Sequence, residues 1–204
     1  MQRGWAWLGV LALVGSSVLV VTLARQNREL RRQVGRLRLR EQSLHQGLVV
    51  PSFRTLTLEG DSVFIADSAT HGRDVLFIFT TTCGFCRQAI PSWKAIAQRV
   101  PALRVPHVRV FGVSLDPDST TAAFAATNAL GFAVIRFPDE KTAAIYRARA
   151  VPVTAVVDYQ GRVLYGRPGV PSEASLDSLF AVLRRPDSTA SAPRDSSSTM
   201  RRSG

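Results

Sequence analysis

From Asp74 to Thr80 the chain reads Asp-Val-Leu-Phe-Ile-Phe-Thr, an unbroken apolar run of the kind found in strands covered on both faces. It ends in Thr81-Thr82-Cys83-Gly84-Phe85-Cys86, after which Ile90, Trp93, Ile96, Ala97 and Val100 recur at helical spacing. Val108–Ser114 predicts a second strand, and Ser119–Leu130 a helix capped by Ser119 or a neighbour. Phe132–Phe137 reads as strand, Glu140–Arg147 as a short helix and Val153–Asp158 as strand. Tyr159-Gln160-Gly161 then turns the chain into a hairpin partner at Arg162–Gly166. Ser172–Arg184 predicts a closing helix with Leu176, Leu179, Phe180 and Leu183 on one face. Upstream, Phe53–Leu58 and Ser62–Ile65 flank Glu59-Gly60-Asp61 as another hairpin. This order predicts one α/β unit over residues 48–185, a mixed sheet with helices on both faces.

The ends of the chain follow other patterns. Gly4 to Ala24 is 21 residues without a charge, which as a helix spans roughly 30 Å, one hydrocarbon thickness. Trp5 and Trp7 open the run, where amphipathic rings suit a membrane interface. Residues 1–24 are therefore read as a transmembrane anchor. Thr22-Leu23-Ala24 loosely mimics a cleavage site, so a removed signal peptide is the competing reading. Residues 25–47 read as a basic helical stalk, with Leu23, Leu30, Leu37 and Leu44 at heptad spacing and Val34 and Leu48 at the companion position. Asn27 and Glu41 interrupt that seam, and seven arginines from Arg25 to Arg40 oppose a parallel dimer. A solvated spacer is accordingly preferred to a homodimer. Residues 186–204, rich in serine, read as a disordered tail.

Charge sharpens this division. The net +11 splits into +6 over residues 1–48, +4 over 49–185 and +1 over the tail. Most of the excess lies outside the predicted globular unit, which argues against a nucleic-acid-binding domain. Hydrophobic content of 46% excludes a mainly disordered chain. Two cysteines cannot build a disulfide scaffold or an all-cysteine zinc site, but they can make one pair.

That pair carries the chemistry. Cys83 and Cys86 stand directly after a buried strand and at the start of a helix. Backbone N–H groups and the positive end of the helix dipole favour a thiolate at Cys83 and lower its pKa below about 8.5. The thiolate is the attacking species in disulfide exchange, and Cys86, one turn inside the helix, is placed to resolve the mixed disulfide. The other readings are two inert buried cysteines or half a zinc site. His45, His71 and His107 show no ligand-like spacing, so neither a metal nor an organic cofactor is expected.

The strand–C-x-x-C–helix unit, Pro91 five residues after Cys86, and Val151-Pro152 before the Val153–Asp158 strand resemble thioredoxin. The helix and strand inserted over residues 115–138, the opening hairpin at Pro51/Phe53 and the apolar N-terminus narrow this to membrane-anchored thiol–disulfide oxidoreductases of the TlpA/ResA type, within the redoxin (AhpC-TSA) group. The resemblance implies a thioredoxin-like fold, with Pro152 as a cis proline and Val151 pairing with an incoming strand. From sequence alone, Pro152 reads equally as a trans proline. Thr82, Gly84 and Phe85 complete the expected substrate surface, although thioredoxins often carry Trp where Thr82 stands and Gly-Pro where Gly84-Phe85 stands. The family's buried carboxylate near the resolving cysteine is missing, since its two positions hold Phe77 and Ala89. Thr80-x-x-Cys83 also matches the T-x-x-C of peroxiredoxins. The proline expected before it is replaced by Leu76, and Arg149 is the candidate for the peroxidatic arginine. A binding or metal-delivery module on the same scaffold is a non-enzymatic alternative. The arginines after the apolar run favour a cytoplasmic domain, whereas the resemblance favours a single-pass inner-membrane protein with the domain in the periplasm, and the resemblance is followed. It implies disulfide-bearing clients, with apocytochrome c or its maturation machinery as candidates, and a transmembrane thiol electron donor.

Overall fold

The computed structural model describes residues 19–29, 31, 43–69 and 71–185. After the N-terminal segment the order is β1 (Phe53–Leu56), β2 (Ser62–Ile65), β3 (Arg73–Phe79), α1 (Gly84–Arg99), β4 (Val108–Ser114), α2 (Asp118–Asn128), β5 (Ala133–Arg136), α3 (Glu140–Ile145), β6 (Val153–Asp158), β7 (Val163–Pro168) and α4 (Glu173–Arg184). The five-stranded sheet runs β5-β4-β3-β6-β7, with β1 and β2 as a separate antiparallel hairpin. β3, β4 and β5 are parallel, β6 runs against them, and β7 runs against β6 and so in the direction of β3.

β3 is buried at every position because both faces of the sheet are covered. Val75, Phe77 and Phe79 point to one side, where Trp93 and Ile96 of α1, Phe124 of α2 and Leu179, Phe180 and Leu183 of α4 pack. Leu76 and Ile78 point to the other, against Phe53 and Ile65 of the hairpin and against Phe137 and Tyr146. The period-2 alternation of a strand thus divides one apolar run between two cores. At the foot of β3, Asp74 accepts hydrogen bonds from Arg109 Nε (2.8 Å), Arg109 Nη2 (3.0 Å) and the Ala66 amide (2.8 Å). The same guanidinium reaches the Phe64 carbonyl at 2.7 Å, which fastens the hairpin to the sheet. Burial pushes the Asp74 carboxyl above the usual range despite these donors.

Both edges of the sheet are occupied. On the β5 side, Leu58 N–H donates to Val134 O (3.0 Å) and Thr55 Oγ1 to Arg136 O (2.9 Å). On the β7 side, residues 44–50 form a strap antiparallel to the strand. Gly47 N–H donates to Val163 O, Val163 N–H to Leu48 O and Val50 N–H to Gly161 O, each at 2.8 Å. Gly161 has φ +75°, and a Cβ there would stand 2.0 Å from Val50 O, so only glycine lets strap and turn meet.

The strap corrects the stalk reading at its end. Leu44, expected in a heptad seam, is fully buried in the domain core, and residues 43–50 are not helical. Here burial in the globular core outcompetes the seam. Leu30 and Leu37 lie outside the described residues, as do Gly4–Val18 of the predicted anchor and the tail from residue 186. Residues 19–29 are helical and expose Leu19, Val20, Val21 and Leu23. Among the described residues no helix is long and apolar enough to cross a membrane.

The cap of α2 is also corrected. Pro117, not Ser119, occupies the N-cap and provides no side-chain bond. Its fixed φ of −57° already suits a helix start.

Candidate active site

Parallel pairing of β3 with β4 sets Phe79 opposite Ser114, so the segments leaving both strands emerge side by side. One carries the cysteines. Cys83 is the N-cap of α1, with extended backbone, and its sulfur accepts a hydrogen bond from Cys86 N–H at 3.3 Å. The apolar face of α1 (Cys86, Ala89, Ile90, Trp93 and Ile96) is pressed into the core. That packing leaves Cys83 half-buried and Cys86 with no exposed surface. Both are free thiols.

The two thiols are driven apart in acidity. Burial works against the Cys83 thiolate. The Cys86 thiol, the amides of Cys86 and Phe85 and the charge of Arg87 outweigh it, and the pKa of Cys83 falls below its ordinary value of 9.0. Burial, the bond to Cys83 and the charges of Cys83 and Asp116 push Cys86 up to about 12. Initial rates of iodoacetamide alkylation of the reduced protein, followed against pH, are therefore expected to rise to a midpoint below 9.0, with the second thiol silent through neutral pH. A single midpoint at or above 9.0 would contradict this assignment.

The Val151–Pro152 bond is cis, as the resemblance implies. The Cys83 thiol points to Val151 O at 3.9 Å, and Pro152 O is held by Gly169 N–H at 2.8 Å. Thr82, Gly84 and Phe85 lie exposed around the half-buried Cys83, Phe85 being 64% exposed. The structure thus brings Cys83, Cys86, Val151, Pro152, Thr82, Gly84 and Phe85 to one pole of the sheet. Arg149 is exposed, and the cation that bears on Cys83 is Arg87. His45 contacts its own strap at Ser43 O, and His71 packs on Tyr159. Among the described residues no cluster of three or more His, Cys, Asp or Glu could hold a metal ion.

Sequence reasoning missed Asp116. Phe77 and Ala89, the two positions where a buried carboxylate was sought, are fully buried in the apolar core. The carboxylate comes instead from the segment leaving β4, and Asp116 Oδ2 accepts a hydrogen bond from Thr81 N–H at 2.5 Å. Arg87 Nη2 donates to Thr81 O at 3.2 Å, so the turn before Cys83 is held from both sides.

A C-x-x-C pair capping a helix, beside a cis-proline loop on a mixed five-stranded sheet, defines a thioredoxin-like oxidoreductase. Residues 47–165 match the AhpC/TSA family, and the chain belongs to that family. Among solved structures the chain is similar to one described as a thiol:disulfide interchange protein DsbE, from Chlorobium tepidum. The two share 26% identity, with 69% of this chain and 99% of that chain covered and a TM-score of 0.58. StoA from Bacillus subtilis (18% identity, 65% and 98% covered, TM-score 0.55) and peroxidoxin BcpB from Mycobacterium tuberculosis (21% identity, 69% and 97% covered, TM-score 0.55) share the fold. No curated protein matches the sequence.

Proposed function

We propose that this chain is a membrane-tethered thiol–disulfide oxidoreductase that reduces disulfides of client proteins on the extracytoplasmic side. The observation that carries the reading is the division of labour between the cysteines, an N-cap thiol of lowered pKa beside a buried thiol held protonated. The Cys83 thiolate attacks a client sulfur, the client S–S bond breaks, and the released client sulfur takes a proton. Cys86 then loses its proton and attacks Cys83 Sγ. The Cys83–client bond breaks, and the second client sulfur leaves with the electron pair. The client gains two electrons, and Cys83–Cys86 becomes the disulfide.

Val151 and Pro152 line the docking groove in this reading, with the Val151 carbonyl beside the attacking sulfur. Thr82, Gly84 and Phe85 form its exposed rim, and Phe85 offers an apolar face to residues flanking the client cysteine. A transmembrane thiol donor would restore the dithiol, and apocytochrome c or its maturation machinery is a candidate client. The tether rests on the uncharged run Gly4–Ala24, whose described end is helical with exposed apolar side chains.

The test is the state of the pair in living cells, read by acid quenching, a mass-tagged maleimide and a gel shift. A mostly reduced pair supports the reductase, and a mostly oxidised pair overturns it. Saturable peroxide turnover by the purified chain without disulfide reduction would replace this reading with a thiol peroxidase. A reporter fused after Gly204 and active only in the cytoplasm would overturn the assigned side.

A further inference from the structure

We propose that the cleft between the strap, β7 and the last turns of α4 binds the phosphate of an anionic phospholipid headgroup and so seats the domain on the bilayer. The site presupposes the tether proposed above and fixes the domain end of it. The cleft has a volume of about 720 Å³, within the roughly 300–1,000 Å³ of small-molecule sites. Arg167 lines it from β7, Arg185 from the end of α4 and His45 from the strap, with Gln46, Tyr165 and Ser178 among the rest of the lining. No carboxylate lines it, and among the described residues neither Arg167 nor Arg185 has an acidic partner. The carbonyls at the end of α4 would repel an anion, but they are already taken. Arg73, itself buried, donates from Nη1 to Val182 O (3.2 Å) and Leu183 O (2.7 Å), and from Nη2 to Arg185 O (2.6 Å). A full positive charge therefore stands at the negative end of that helix. Guanidinium forks match phosphate oxygens two at a time, and one anion held by both Arg167 and Arg185 would join β7 to α4 beside the strap.

The flanks of the chain are poor sources of that anion. The segment leading into the strap carries Arg31, Arg32, Arg36, Arg38 and Arg40 against Glu41, which is the sign of the cleft itself. The tail after Arg185 brings Asp187 and Asp195 but also Arg194, Arg201 and Arg202, and is net positive. The strap instead links the two cationic regions. The arginine run that follows the apolar N-terminus leads directly into residues 44–50, which lie along β7 at the edge of the cleft. Run and cleft are thus successive parts of one positive path away from the anchor. Arginines next to a membrane draw anionic lipid, each strengthening the attraction about five-fold. A lipid phosphate is the anion that such a path meets first.

The test reads amide hydrogen exchange in the full-length chain, reconstituted in lipid nanodiscs of phosphatidylcholine alone or of an equal mixture with phosphatidylglycerol. The reporters are Gly47, Val50 and Val163, whose N–H groups hold the strap to β7 and its turn. Their exchange is expected to slow by up to about thirty-fold in the mixed discs, because a ligand bound only to the docked strap opposes its release and two cations at about five-fold each multiply. Arg167→Gln combined with Arg185→Gln should abolish the slowing, and the matching pair of lysine substitutions should keep most of it. Equal exchange in the two kinds of disc overturns the proposal, as does slowing that survives the glutamine pair. Inorganic phosphate that produces the same slowing in phosphatidylcholine discs would reassign the site to a soluble phosphate and overturn the lipid. Failure of the unmutated chain to enter the discs at all would defeat the tether instead, so the two failures are distinguishable.

Discussion

Replacing Cys86 with serine is expected to leave the chain covalently loaded with its clients. The variant keeps Cys83 at the helix N-cap, with the amides of Phe85 and Cys86 turned to its sulfur, so attack on a disulfide still proceeds. The serine hydroxyl cannot displace the client, and the mixed disulfide persists. It should appear on non-reducing gels as high-mass adducts that collapse on reduction. Their mass spectra would identify the clients. Cys83→Ser should show no adducts, and its disulfide-reductase activity should fall on the order of a thousand-fold or more, since the remaining thiol is buried and held protonated. Adduct formation by Cys83→Ser equal to that of Cys86→Ser would reverse the roles assigned to the two cysteines.

The largest effect on stability is expected at Trp93. Its indole is 1% exposed, stacks on Phe77 with centroids 5.2 Å apart and planes at 12°, and donates from Nε1 to Thr154 Oγ1 at 2.9 Å. Alanine there removes a large apolar surface, leaves a cavity between α1 and β3, and orphans the buried Thr154 hydroxyl. The cost should be about 3–5 kcal/mol, read as a lower urea midpoint at unchanged slope. Trp93→Phe keeps most of the ring contact but not the donor, and should cost about 1–2 kcal/mol. Because the same helix carries Cys83 at its N-cap, Trp93→Ala should also slow attack by Cys83. A loss below about 1 kcal/mol for alanine would mean that the core closes over the gap.

What the sequence made legible was local. The run at 74–80 and the turn into a helix at Cys83 fall within one strand–turn–helix unit, and the structure places β3 and α1 accordingly. β4 and β6 match the predicted bounds residue for residue, because buried parallel or central strands read as continuous apolar blocks. Three features were not legible, and two of them depend on a partner far along the chain. Asp116 reaches the site only because β3 and β4 pair in parallel with Phe79 opposite Ser114. The usable signal was that segments leaving the carboxyl ends of adjacent parallel strands gather at one pole. Leu44 satisfied a seven-residue repeat equally well as core or seam, and contact with β7 decided it. Ser119 was the better cap by side-chain chemistry, but the helix starts at Asp118, after Pro117.

The direction of the strap has a consequence for how the domain is carried. Followed backwards from Val50 beside Gly161, it passes Gly47 beside Val163 and brings Leu44 against Gly166, two residues before Pro168, which pairs with Val153 at the cysteine pole. The chain therefore enters the globular unit on the flank nearer its reactive end. For a tethered protein this sets the lever arm. On the tethered reading proposed above, a donor embedded in the same bilayer would meet the sulfur pair at high effective concentration. A soluble client would gain nothing from such a tether and would arrive by free diffusion, so on that reading recharging would be the faster leg of the cycle and client capture the slower one.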